Sequence, residues 1–449
     1  MNPNDTIVAC TTPPGYSSVA VIRISGEQAF SFFQKIFRPQ KPTATYEPQR
    51  AYYGTVIDVS NGDTVDTALA VTFRKPHSYT GEDVVEISCH GNPLIADHIV
   101  RIFLSLGARI AENGEFTKRA LLNGKIDLVQ AEAVLDTVNA PCDQARKIAL
   151  LQYEGKLSDR IYDIRSKIVD VLFLVEAAID FPDEEDIECH RDPLISSIAG
   201  IVSDVDCLLK GASTGMKIKN GFRVLITGRA NVGKSTLFNR IVGHDRAIVH
   251  EEPGTTRDYL EEGVQMGGLF VLLYDTAGIL SKATGPDEIA QQRTRNLIQS
   301  GDLILLMFDG SEAMNEEDVY LYNLVKARPK LLLVNKIDLN VRLSNELILS
   351  DSIKISAKTG KNFNALEDRI RDLLLPEVMA KEDVLITRHR HVDALTRARQ
   401  FLIEAKNAPT METMAYELHS ALDVVGELTG KILRKEILDR IFEEFCIGK

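Results

Sequence analysis

Along the first 120 positions, short β-rich runs at 6–11, 18–25, 51–59, 66–73 and 84–90 alternate with turn residues such as Gly, Pro, Asn and Asp. Those runs predict β-strands. Asn92 and Pro93 then offer a capping side chain and a first-turn proline ahead of 94–106, where the apolar spacing lengthens to three and four, so a helix is predicted there. These elements make a small α+β domain. From about residue 121 the helical spacing persists, through Ile126, Val129, Ala133, Val134 and Val138, and again through Ile148, Leu151, Leu157, Ile161, Ile164, Ile168, Leu172 and Val175. A strongly acidic stretch at 180–192 interrupts it. Asp192 and Pro193 predict a fresh helix start, and Gly211 and Gly215 predict its end.

Residues 222–376 change character. Apolar strand runs at 222–227, 269–274, 303–308, 331–334 and 352–355 alternate with helical patterns, which predicts parallel βαβ units. After Pro376 helical spacing returns through Leu395, Ala398 and Leu402, through Met414, Leu418, Leu422 and Val425, and through Ile432, Ile437, Ile441 and Phe445. Neither helical half completes a bundle alone. The predicted architecture is therefore α/β and α multi-domain: an N-terminal α+β domain (1–120), a discontinuous helical domain (121–217 and 379–449) and an inserted P-loop α/β domain (218–378).

Composition narrows the function. The chain has 449 residues, 44% apolar and 26% charged, and a net charge of −12. Residues 121–217, with 10 cationic and 18 acidic side chains, hold two thirds of that excess. An acidic total argues against gripping nucleic acid mainly by phosphate neutralisation. The local exception is Arg388-His389-Arg390-His391 with Arg397 and Arg399, a candidate RNA contact whose plainer reading is a solvated helix face. Six scattered cysteines include no CxxC pair, so no zinc site is predicted and a reduced cytoplasmic home is. The first residues lack a signal-peptide pattern and no window reaches about 18 uninterrupted apolar residues, so no membrane span is predicted.

Candidate chemistry clusters in the inserted segment. Gly228-Arg229-Ala230-Asn231-Val232-Gly233-Lys234-Ser235 fits GxxxxGK[ST] between a predicted strand and a helix beginning near Thr236. There the backbone from Asn231 and Val232 through Gly233 to Thr236 wraps phosphates, Lys234 reaches the β and γ phosphates, and the Ser235 hydroxyl ligates Mg2+. Asp275-Thr276-Ala277-Gly278 ends an apolar strand, where a carboxylate binds Mg2+ through water and a glycine N–H meets the γ-phosphate. Asn335-Lys336-Ile337-Asp338 supplies base reading, since one carboxylate accepts from both the N1–H and the amino group of guanine and adenine offers no such pair. Ser356-Ala357-Lys358 follows the last strand, where a guanine-supporting loop belongs. Four elements in this order predict GTP as the nucleotide. Gly254-Thr255-Thr256-Arg257-Asp258 is a candidate switch in which Thr256 completes Mg2+ coordination. Ile279, after the glycine at 278, cannot orient a water, whereas Asp287 and Glu288 are candidates; dipole-stabilising first-turn acids are the other reading of that pair.

At this point the sequence resembles the bacterial tRNA-modification GTPase family called MnmE or TrmE. The resemblance rests on the terminal Phe445-Cys446-Ile447-Gly448-Lys449 and on N-terminal blocks such as Thr12-Pro13-Pro14-Gly15, Arg23-Ile24-Ser25-Gly26, Ser78-Tyr79-Thr80-Gly81-Glu82 and Asn123-Gly124-Lys125-Ile126-Asp127. It implies an N-terminal domain that dimerises and binds a tetrahydrofolate one-carbon donor, as 5,10-methylene- or formyl-tetrahydrofolate, through Arg23, Glu86, Lys125 and Lys449. It implies K+-dependent pairing of G domains, with Asn231 as a K+ ligand and the loop His250-Glu251-Glu252-Pro253-Gly254-Thr255 completing the site through His250, Glu252 and Thr255. That loop departs from the family's usual Thr or Asn followed by Asp-x-Ala or Asp-x-Pro, and the family's water-orienting Glu aligns with Asp287, next to Glu288. The resemblance further implies a functional Cys446, a homodimer, an FAD-dependent partner subunit in a heterotetramer, and modification at C5 of the wobble uridine of certain tRNAs, with no membrane or DNA role. The rivals are a ribosome-assembly GTPase, which would carry a second G domain or a basic GxxG RNA module, and a guanine-nucleotide switch without a modification role.

Overall fold

The computed structural model describes residues 5–43, 45–181, 191–245, 261–275, 297–340, 342–343, 350–375, 384–431, 438 and 441–448. The chain falls into two compact units, one of residues 1–135 with 426–449 and one of 136–425.

In the first unit, β1 (Ile7–Cys10), β2 (Ser17–Ser25), β3 (Phe37–Pro39), β4 (Ala51–Ile57), β5 (Thr64–Phe73), β6 (Val84–Gly91) and β7 (Arg109–Ile110) form one sheet in the order β3-β4-β5-β6-β2-β1-β7. Its neighbours are antiparallel except β1 and β7. Strand alternation separates two faces. Ala20, Ile22 and Ile24 of β2 and Val85 and Ile87 of β6 are buried with the apolar sides of α1 (Ala29–Ile36) and α2 (Pro93–Ser105). Asn92 caps α2 as its sequence predicts, accepting from the Leu94 amide at 2.9 Å. On the other face, Val21, Ser88, Leu69 and Tyr53 form one register row and Arg23, Glu86 and Val71 the next. Tyr53, Leu69 and nearby Val19 are about half exposed. β3, β7, α1 and α3 (Glu115–Leu122) go unpredicted because each is too short to establish a period.

The C-terminal segment also belongs to this unit. Leu438, Ile441, Phe442 and Phe445 pack with Leu121 and with Leu128, Ala131 and Leu135 of α4 (Leu128–Val138). Ile447 bridges Asn113 in antiparallel fashion, and the Gly114 amide donates to the Cys446 carbonyl at 3.3 Å. The compact unit thus ends at 135 and takes back 426–449, where helical spacing suggested breaks at 120 and 379. An apolar stripe announces that a partner exists without naming it.

The second unit contains α5 (Asp143–Tyr153), α6 (Lys156–Asp180), α7 (Arg191–Asn220), α11 (His389–Asn407) and most of α12 (Met411–Thr429) around an α/β domain. The latter has β8 (Phe222–Thr227), α8 (Lys234–Asp245), β9 (Glu261–Met266), β10 (Leu269–Asp275), β11 (Leu303–Asp309), α9 (Glu316–Val325), β12 (Lys330–Asn335), β13 (Ser352–Lys354) and α10 (Phe363–Leu374). The sheet runs β13-β12-β11-β8-β10-β9, parallel throughout except for β9. The βαβ alternation does not predict β9, which folds back on β10 through Gly267 and Gly268 at φ +58° and +80°.

The helical halves meet as the sequence predicts, through Arg399 and Asp206, Arg388 and Asp136, and a bond from Gln152 Nε2 to the Leu385 carbonyl at 2.6 Å. One expectation fails. α7 does not stop near Gly211 or Gly215 but runs to Asn220, ending at Gly221 with φ +100°. Gly215 is there for close approach, since an added Cβ would lie 2.2 Å from the Ile386 carbonyl oxygen. Among the described residues no helix is long and apolar enough to cross a membrane.

Candidate functional site

The P-loop joins β8 to α8, and glycine shapes it. Gly233 has φ +99°, and a Cβ there would lie 2.4 Å from Asn335 Nδ2. Asn231 adopts φ +60° with an exposed side chain. Lys234 Nζ donates to the carbonyls of Gly228 and Arg229, each at 2.7 Å. Burial pushes its pKa below the usual lysine range, against the charges of Asp275 and Glu317. Ser235 Oγ donates to Oδ2 of Asp275 at 3.1 Å, and Asp275 is buried at the end of β10. A hydroxyl and a carboxylate brought together without a closed cage suit Mg2+, which keeps waters and substrate phosphates among its ligands. α8 starts at Lys234, two residues ahead of the predicted Thr236.

Asn335 joins this loop to the rest of the pocket. Its Nδ2 donates to the Val232 carbonyl at 2.7 Å, and its Oδ1 accepts from the Ala357 amide at 2.8 Å. Asp338 Oδ1 accepts from Ser356 Oγ at 2.6 Å. That bond, reinforced by the charges of Lys358 and Lys336, holds the Asp338 carboxyl below the usual aspartate range. Lys336, at φ +63°, pairs with Asp309. The structure therefore brings Val232, Gly233, Lys234 and Ser235 together with Asp275, and ties them through Asn335 to Ala357.

His250, Glu251, Glu252, Pro253, Gly254, Thr255, Thr256, Thr276, Ala277, Gly278, Ile279, Asp287, Glu288 and Lys449 lie outside the described residues. The acidic positions 182–190 lie outside them as well.

In the first unit Arg23 and Glu86 are register partners on β2 and β6, with Arg23 Nε 2.7 Å from Glu86 Oε1. The Arg23 guanidinium carbon lies 5.3 Å from the Tyr79 ring centre and 5.4 Å from that of Phe116. Lys125 Nζ donates to the Pro76 carbonyl at 3.1 Å, and Asn123 Nδ2 to that of Thr80 at 2.7 Å. A cation, a carboxylate and two aromatic rings make a donor set that fits a flat heterocycle with a carboxylate tail. Beneath it Glu115, fully buried, accepts from Arg109 and Arg119. Burial alone would raise its pKa, but the two guanidiniums hold it below the usual glutamate range. The Cys446 thiol is exposed, on the tail that passes Gly114.

A family model described as the MnmE helical domain matches residues 128–446, and one described as the GTP-binding protein TrmE N-terminus matches residues 6–125. The chain is 41% identical to the tRNA modification GTPase MnmE of Syntrophotalea carbinolica over 99% of both chains. It is 38% identical to that of Alkaliphilus metalliredigens, again over 99% of both, and 37% identical to that of Aquifex aeolicus, over 99% of this chain and 100% of the relative. The chain belongs to the MnmE family of tRNA modification GTPases.

Two polar side chains of this MnmE-family GTPase site lie outside its sequence motifs. Asp309 ends the apolar run of β11 much as Asp275 ends that of β10, a signal that sequence reading passes over. Arg240, in the second turn of α8, gives no sequence signal at all. In the basic cluster offered for RNA, Arg388 pairs with Asp136 and Arg399 with Asp206 across the two helical halves, Arg397 pairs with Asp393 on its own helix, and His391 is buried.

Proposed function

We propose that this tRNA modification GTPase binds GTP at the P-loop, works as a cytoplasmic homodimer with an FAD-dependent partner subunit, and uses a tetrahydrofolate one-carbon unit to place an aminomethyl-type group on C5 of the wobble uridine of certain tRNAs. The observation that carries the nucleotide half is the Asn335 side chain, which fixes the phosphate loop and the base loop in one frame. With GTP present, Lys234 exchanges its loop carbonyls for β and γ phosphate oxygens. Asp338 accepts from the N1–H and amino group of guanine, and an adenine would leave that carboxylate unmatched.

Ser235 and Thr256 would hold Mg2+, with Asp275 behind them; the metal supplies charge neutralisation and alignment of the phosphates. Asn231, His250, Glu252 and Thr255 would hold K+, which supplies positive charge where the transition state gains negative charge. Asp287 or Glu288 orients the attacking water. In the first unit, Arg23, Lys125 and Lys449 supply cations for a folate tail and Glu86 a carboxylate for its pterin edge, and Lys449 follows the functional thiol of Cys446 by three positions. The half-exposed side chains of Val19, Leu69 and Tyr53 on one sheet face support the homodimer, because monomers rarely leave such a face bare.

Two measurements test this reading. Asp338→Asn should shift preference from guanine to xanthine nucleotides, and unchanged GTP affinity with no gain for xanthine would exclude Asp338 from base reading. GTP turnover should be faster in K+ than in Na+ at equal ionic strength, and equal rates would remove the cation-dependent dimer.

A further inference from the structure

The loop 356–360 is closed around a guanidinium. Arg240 Nε donates to the Ala357 carbonyl and Arg240 Nη2 to the Lys358 carbonyl. Its third nitrogen, Nη1, lies 2.7 Å from where a Cβ on Gly360 would sit, and Gly360 has φ +82°. A side chain at 360 would therefore both strain the turn and expel the guanidinium. The same turn is held from within, by Gly360 N to Ser356 O at 2.8 Å and Thr359 N to Ser356 Oγ at 3.2 Å. Ser356 Oγ in turn donates to Asp338 Oδ1 at 2.6 Å. A continuous set of bonds thus runs from α8, the helix that begins at the P-loop lysine, through the turn to the carboxylate.

We propose that Arg240 is the positioning residue for guanine recognition, holding the 356–360 turn so that Ser356 presents Asp338 at the base. Arg240 touches neither phosphate nor base; it acts through the turn. The guanidinium suits this task because its planar fork meets two successive carbonyls at once, and charge-assisted bonds of this kind are stronger than neutral ones. A lysine reaches one carbonyl and loses the fork. The proposal rests on the assignment of Asp338 to base reading.

The test uses the full chain and three substitutions, Arg240→Gln, Arg240→Lys and Asp338→Asn, with steady-state hydrolysis of GTP and of ITP, which lacks the 2-amino group. Arg240→Gln should raise KM for GTP by about tenfold, leave kcat within about twofold, and shrink the GTP-over-ITP preference; Arg240→Lys should do the same less severely. A role confined to fold stability would move both nucleotides equally and leave their ratio intact, and that result overturns the proposal. So does an unchanged KM for GTP in a folded Arg240→Lys chain while Asp338→Asn still shifts the chain towards xanthine nucleotides. If Asp338→Asn produces no such shift, the base-reading assignment falls and the proposal with it.

Discussion

Asp136 joins the chain segments on either side of the inserted G domain. Its Oδ1 accepts from Lys219 Nζ at 2.8 Å, at the end of α7 ahead of β8, and from Arg388 Nη2 at 2.6 Å, just before α11; its Oδ2 accepts from Arg388 Nε at 3.2 Å. The side chains of Asp136, Lys219 and Arg388 are 8%, 27% and 14% exposed. Asp136→Ala leaves two cations side by side with little water. Removing one partner of a buried ion pair costs about 3–5 kcal/mol, and the partial exposure of Lys219 places this case near the lower end, about 3 kcal/mol. At roughly 2 °C per kcal/mol for a unit of this size, the second unit should melt about 6 °C lower. Asp136→Asn keeps an acceptor and should lose about half as much. Scanning calorimetry measures the shift, and hydrogen exchange at 216–220 and 384–388 locates it. A fall of less than 1 °C for Asp136→Ala, with no faster exchange in those segments, would refute the view that this carboxylate holds the junction.

Gly233→Ala should weaken GTP binding at least about tenfold, because its methyl group would meet Asn335 Nδ2 at 2.4 Å and the backbone is at φ +99°; titration with a fluorescent GTP analogue checks it, and near-normal affinity contradicts the geometry. Glu115 titrates below its ordinary 4.5 in the folded chain, so its stabilisation is fully present above that value and is lost as pH falls through the lower folded value. The Glu115→Gln chain should accordingly melt lower than the parent at pH 7, with the gap closing on acidification below 4.5; a gap independent of pH would sink this account. Cys446→Ser should leave GTP turnover intact while abolishing the modified nucleoside, as judged by mass spectrometry of tRNA from cells expressing only the variant, and normal nucleoside levels would exclude the thiol from the chemistry.

Much of this fold is legible in sequence because its signals are local. The P-loop, the strand-ending Asp275 and the Asn335 to Asp338 segment each combine an apolar run with a turn whose chemistry is written in consecutive residues, so order alone predicts the inserted domain. The Asn92 cap of α2 is readable for the same reason. What escapes is set by distant neighbours. Gly215 looks like a helix stop but is a contact with Ile386, some 170 positions away. Arg240 finds its carbonyls at Ala357 and Lys358, and the apolar residues at 438–445 find theirs at 121–135. Periodicity describes one surface of each such pair and is silent about the other. The arginines at 388–399 likewise give no hint in sequence of their carboxylate partners, which for Arg388 and Arg399 lie at Asp136 and Asp206.

The junction at Asp136 also bears on how such a chain could arise and be rebuilt. Gly215 approaches Ile386 and Gln152 reaches Leu385, so the polypeptide leaves the helical domain and returns to it at nearly one point. Loop-closure entropy grows only with the logarithm of loop length, and here the two ends of the loop already coincide. To the helices, the whole G domain is therefore a surface loop whose length hardly matters thermodynamically. A module with adjacent termini could have entered an ancestral helical protein at this spot without disturbing its packing, and a short glycine-containing turn from Asn220 to Leu385 should restore an uninterrupted helical domain.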